Sequence, residues 1–203
     1  MSYRMQPDES VSASVNRIAI EQIDKSIGEI RDSDVDEEKT VHQVRKRFKK
    51  IRALLRLVRP ALGDRFDQEN KAFRDAARSV SDLRDATVLI ETYDGLMQSF
   101  KDQVNRPAFS SVRRELTRRL KFVQENTLTG RLNQLEEFLE EARQRIDRQP
   151  FEVSEFAAIA SGTRKSRRRA EKRLSDVSDD DPNNSDRTES LHKFRKRVKY
   201  HGY

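Results

Sequence analysis

Apolar residues recur by threes and fours along most of this chain, and no segment alternates convincingly by twos. Val41, Val44, Phe48, Ile51, Leu55 and Val58 step by 3, 4, 3, 4 and 3, which places them on one stripe of an α-helix. Phe73, Ala76, Val80, Leu83 and Ile90 keep that rhythm, with Thr87 filling one step. Leu132, Leu135, Phe138, Leu139 and Ala142 follow it more loosely. The pattern predicts helices over about 9–31, 36–61, 65–103 (with room for a break), 107–126, 131–148, 151–174 and 187–203. Pro7, Pro60, Pro107, Pro150 and Pro182 fall between the periodic segments, as helix starts and stops require, and Gly63, Gly130 and Gly162 are read as similar gaps. Every stripe needs another helix to cover it, so the expected fold is all-α, an antiparallel helical bundle. Residues 176–186, DVSDDDPNNSD, lack a stripe and are expected to form a solvated acidic loop.

Composition alone would allow disorder, since 38% of the 203 residues are charged and 34% hydrophobic; the periodicity decides for long amphipathic helices. Six glycines and five prolines are too few for a turn-rich β protein. With no cysteine there is no disulfide framework, thiolate zinc site or thiol nucleophile, which fits a reducing compartment. No apolar run approaches the ~18 residues of a membrane span, and the first residues lack a signal-peptide core. The expected location is cytoplasmic, with no membrane partner.

Charge alters the picture more. The net charge is +7, but it is unevenly spread. Residues 1–40 hold five bases and ten acids, whereas residues 41–59 hold eight bases and no acid. Residues 163–175, TRKSRRRAEKRLS, hold seven bases against Glu171. In the 41–59 helix, His42, Arg45, Lys46, Lys49, Arg52 and Arg56 form a basic stripe beside the apolar one. Like charges at helical i,i+3 and i,i+4 spacing cost a few tenths of a kcal/mol each. Acids of a neighbouring helix or a bound polyanion must therefore compensate them.

The motif occurs twice. VHQVRKRFK (41–49) matches LHKFRKRVK (191–199) at a constant offset of 150 residues. His42 pairs with His192, Arg45 with Arg195, Lys46 with Lys196 and Lys49 with Lys199, in a protein with three histidines. A duplicated helical unit explains this. Two such helices related by a pseudo-twofold axis and facing each other would line a cleft of focused positive potential.

The paired H-x-x-R-K-x-x-K helices resemble those of the CHAD family, the conserved-histidine α-helical domains. The stretch KAFRDAARSVSDLRDATVLIETYD (71–94), with Arg74, Arg78 and the Arg84-Asp85 pair, is similar to the family's segment after its first histidine helix. The resemblance runs from about residue 9 to the end. It implies one domain over 1–203 with two pseudo-symmetric repeats, about 9–126 and 131–203, binding inorganic polyphosphate along a basic groove. The implied contacts are His42, Arg45, Lys46, Lys49, Lys50, Arg52 and Arg56, then His192, Arg195, Lys196 and Lys199. Arg74, Arg78, Arg164, Arg167 and Arg168 are implied more weakly. Polyphosphate granules are the association this ligand suggests. The second motif is followed only by YHGY. The second repeat is thus expected to be incomplete, the chain being a truncated piece or further helices or a second copy (a homodimer) completing it.

Arg matches phosphate oxygens with a planar fork and Lys with a point charge, so a row of both suits a chain of phosphates. Phe48 and Phe194 are expected in the core. Asp85 is expected to orient an arginine, Arg78 to pair with Asp82, and the basic faces to carry no acid. No phosphate-binding glycine loop, nucleophile elbow, HExxH or acidic metal cluster is apparent. The expectation is a binding protein, not an enzyme, with no metal and no cofactor. Its rivals are nucleic-acid backbone binding, a helical scaffold whose basic faces meet its own acidic segments, and an accessory domain of a phosphate-polymer enzyme.

Overall fold

The computed structural model describes residues 3–125, 128–154, 156–179 and 186–202. These residues form an all-α bundle without strands. α1 spans Val11–Arg31, α2 Glu37–Leu57, α3 Arg59–Leu62, α4 Asp64–Ser79 and α5 Ser81–Ser99. A 3-10 turn, Arg106–Phe109, leads into α6, Ser110–Glu125. α7 is Leu128–Arg148, α8 Phe156–Asp179 and α9 Asp186–Gly202. No helix among the described residues is long and apolar enough to cross a membrane.

α2 is the hub. It packs on α1, α4, α5, α8 and α9, while α1 also packs on α7, and α5–α6 and α8–α9 pair with each other. Glu37 and Glu38 stand in the first turn of α2, where carboxylates suit the helix dipole. Its stripe, Val41, Val44, Phe48, Ile51, Leu55 and Val58, is fully buried. Phe48 meets Phe73 of α4 and Phe138 of α7 edge to face, with centroids 5.5 Å and 6.2 Å away, and Phe73 and Phe138 lie 5.2 Å apart. Such edge contacts add to the burial of apolar area. Arg31 bridges Glu136 and Glu140 at 2.6 Å each, and Arg143 reaches Asp24 at 2.8 Å, tying α1 to α7.

Three segments differ from the sequence reading. The long 65–103 helix breaks at Val80, a buried residue with φ −111° and ψ 15°. In an unbroken helix the Ala77 carbonyl would accept from the Ser81 amide. Here it accepts instead from the Ser81 hydroxyl at 3.1 Å and from Arg45 at 2.6 Å. Residues 151–154 are not helical. Asn16 exchanges two hydrogen bonds with the Phe151 backbone (2.8 and 2.9 Å), and Ser12 accepts from the Val153 amide at 2.7 Å, so α1 side chains hold this segment extended. The acidic stretch is helical through Asp179, since α8 runs that far; residues 180–185, and Pro182 with them, lie outside the described residues.

Of the three glycines read as gaps, Gly63 is one, joining α3 to α4 with φ +52°, a conformation that costs glycine little. Gly130 lies within α7 and Gly162 within α8. Gly162 is buried where α8 crosses α2. A Cβ on it would overlap the Leu57 carbonyl oxygen and stand 2.6 Å from the carbonyl carbon. Gly162→Ala gains about 1 kcal/mol of helix propensity, but overpacking costs about 1–3 kcal/mol, and backbone cannot step aside as a side chain can. The expected result is a net loss of up to about 2 kcal/mol, a fall in Tm of up to about 4–8 °C for a chain of this size. An unchanged or raised Tm in a thermal melt would show that α8 does not touch α2 this closely.

Candidate functional site

The two motif helices, 150 residues apart in the chain, meet at one cavity. Arg45 and Lys49 of α2 line it together with His192, Arg195, Lys196 and Lys199 of α9 and Asp85 of α5, around a volume of about 510 Å³. A second cavity of about 240 Å³ shares Arg45, Lys49 and Lys196 with the first and extends it past Arg52, Arg74 and Arg78. The two form one groove walled by α2, α9 and the α4–α5 break. Among the described residues, eight Lys and Arg side chains line it.

Local structure fixes several of these groups. Arg45 donates to the Ala77 carbonyl and to the Ser81 hydroxyl, so the break that ends α4 also anchors the first motif's arginine. Arg52 donates to Asn70 at 3.1 Å; Arg56, a predicted contact that lines neither cavity of the groove, donates to the same amide oxygen at 3.3 Å and to the Arg52 carbonyl at 2.9 Å. A guanidinium held in this way loses less freedom on meeting a phosphate. Arg74 grips Asp75 through two hydrogen bonds (2.8 and 3.2 Å), and that contact holds the Asp75 carboxyl below its usual range. Arg78 leans on the same carboxylate at 3.9 Å, not on Asp82, which takes Arg131 at 3.3 Å. The expected Arg78–Asp82 pair is therefore replaced, because Asp75 one turn back reaches both arginines.

Asp85 corrects the expectation that no acid would stand on the basic faces, since the fold brings α5 alongside α2 and puts this carboxylate on the groove wall. It opposes any anion there. Two unit charges about 4 Å apart in water interact by about 1 kcal/mol, so Asp85→Asn is expected to tighten polyanion binding by about fivefold at low salt. Weaker binding in the variant, measured by titration, would mean that Asp85 chiefly positions a cation.

The remaining candidates lie elsewhere. His42 is exposed and lines neither cavity. Lys46 and Lys50 fall on the next row of α2, towards α1. Lys50 sits 5.2 Å over the Tyr3 ring, and burial, then the charges of Arg47, Lys46 and Lys25, hold its ammonium below the usual lysine range. Arg47 is tied bidentately to Glu29 of α1. Arg164 donates to the Ala160 carbonyl at 3.3 Å and Arg167 pairs with Glu171 at 2.7 Å; neither these nor Arg168 lines the groove. The apolar residues of the second motif also diverge from those of the first. Leu191 and Val198 are each 46% exposed and Phe194 is half-buried, whereas their counterparts Val41, Phe48 and Val44 are at 0%. Phe194 is thus not the core residue expected, because α9 rests chiefly on α8 and on little of α2.

Among the described residues no group of three or more His, Asp or Glu side chains could hold a metal ion. The arrangement is a cation-lined groove between helices of an all-α bundle, a form suited to holding an extended anion. The chain belongs to the CHAD domain family, whose model matches residues 16–203. No curated protein and no solved structure matches it.

Proposed function

We propose that this protein binds inorganic polyphosphate in the α2–α9 groove and holds it without turning it over. One observation carries the reading: the repeated motif, split by 150 residues of chain, converges on a single cavity through Arg45, Lys49, Arg195, Lys196 and Lys199. Like charges gathered this densely repel one another, and a row of phosphates supplies the missing charge along its whole length. Membership of the CHAD family, whose members bind polyphosphate, points the same way. Among the described residues the groove walls offer donors to oxygen anions and no exposed aromatic platform, since Phe48, the one aromatic of these lining them, is fully buried. Sequence-tolerant binding of single-stranded nucleic acid relies on such platforms. We read the two motif helices as equivalent parts of a duplicated unit within one domain.

The test is a set of titrations with long-chain polyphosphate, duplex DNA and RNA at matched salt. Polyphosphate is expected to bind tightest, with affinity falling as salt rises through counterion release. DNA or RNA binding as tightly would overturn the polyphosphate assignment, and absence of binding to all three would favour a helical scaffold.

A further inference from the structure

A second group of cations lies where α8 crosses the C-terminal end of α2. Arg56 and Arg59 from the α2–α3 junction, Lys165 and Arg169 from α8 and Arg197 from α9 surround a cavity of about 20 Å³, with the Ser166 hydroxyl beside them. Gly162 explains how they meet. Its missing side chain lets α8 rest on the Leu57 backbone. Residues 166 and 169 follow 162 at helical spacing, so that face of α8 is laid over Arg56 and Arg59.

We infer that this junction is a binding site for one phosphate-type oxyanion, taken up as free orthophosphate and separate from the polymer groove. No carboxylate lines the cavity among the described residues. Among the same residues no acid pairs with Lys165, Arg169 or Arg197, while Arg59 lies 4.4 Å over the Phe66 ring and has a distant contact with the exposed Asp67 at 3.8 Å. Burial, and then the charges of Arg197 and Arg59, depress the basicity of Arg169, so the group carries mutual repulsion that an anion would relieve. At about 20 Å³, against about 510 Å³ in the groove, the space suits a single tetrahedral anion rather than a run of phosphates. Four guanidinium forks, a lysine and a hydroxyl are the donor set such an anion takes. The sequence hides this site because Arg164, Arg167 and Arg168 look equally basic. Only the Gly162 contact selects Lys165 and Arg169, which line the cavity, while Arg164 and Arg167 bond along their own helix.

The experiment titrates orthophosphate into the full chain at constant ionic strength, with chloride as balance, reading Tm and calorimetric heat. Wild type is expected to show saturable binding. Arg169→Gln with Arg197→Gln should weaken it by on the order of tenfold for each guanidinium removed. The groove variant Arg45→Ala with Arg195→Ala should keep it. Lys165→Gln, an exposed single change with a smaller expected loss, serves if the double variant does not fold by circular dichroism. Binding lost in the groove variant and kept in the Arg169/Arg197 variant would overturn the inference, as would a response to phosphate no different from that to chloride. Binding of polyphosphate but not orthophosphate at this junction would overturn it too, making the cavity an extension of the groove. The site stands whether or not the groove's polymer is polyphosphate, and the two variants separate the failures.

Discussion

Arg45→Ala combined with Arg195→Ala is expected to lower affinity for long-chain polyphosphate by about a hundredfold or more while leaving helix content unchanged. The two arginines come from opposite walls of the groove, α2 and α9. A hydrogen bond to a charged group contributes about 1.5–3 kcal/mol net, so removing two such anchors costs roughly 3–6 kcal/mol if each meets a phosphate, and every 1.4 kcal/mol is tenfold. Folding should survive. Arg195 is exposed, and the Ala77 carbonyl that loses Arg45 keeps the Ser81 hydroxyl. Fluorescence or calorimetric titration beside far-UV circular dichroism checks both halves. Unchanged affinity in a folded variant would mean the two motifs do not share a ligand.

Phe48→Ala is expected to be the most damaging core change. Phe48 is fully buried at the meeting of α2, α4 and α7, edge to face with Phe73 and Phe138. Phe→Ala in a packed core costs about 3–5 kcal/mol, from lost transfer energy and the cavity left behind. Against a total stability of about 5–15 kcal/mol for an ordinary domain, that leaves a population unfolded under mild denaturant. Urea melts should show a lowered midpoint at unchanged slope, and polyanion binding should weaken only as the folded fraction falls. Phe48→Leu, which keeps most of the volume, should lose much less. An alanine variant as stable as the parent would show that the aromatic cluster is not the keystone of the α2 packing.

The helices with regular stripes were legible because burial follows the stripe. Every apolar step from Val41 to Val58 is buried, and the Val80 break falls within the one helix whose length already suggested it. Residues 151–154 were not legible, since Asn16 and Ser12, about 135–141 positions away, satisfy their backbone. The site was legible as two motifs but not as a set of side chains. Arg45, Lys49, Arg52 and Arg56 share one row of α2, and Lys46 and Lys50 stand one row over; composition cannot say which row faces α9 and which faces α1. The same limit hid Asp85, whose approach to the groove depends on how α5 lies beside α2, and it gave His42 and His192 equal standing although only His192 lines the cavity.

Electrostatics separates the two sides of α2. Towards α1, Arg47 is paired with Glu29 and Lys50 is sheltered over Tyr3, while Lys46 is exposed. Towards α9 its cations gather on a groove whose lining carries one carboxylate, Asp85, among the described residues. The acid-free part of α2 therefore presents two surfaces, one completing the bundle and one lining the groove.

Lysine acetylation followed by mass spectrometry, with and without long-chain polyphosphate, tests the location of binding most directly. The groove predicts that Lys49, Lys196 and Lys199 lose reactivity when the polymer is present, while Lys46, one row away on the same helix, keeps it. Equal protection of Lys46 and Lys49, or no protection of Lys196 and Lys199, would contradict the groove as the binding site.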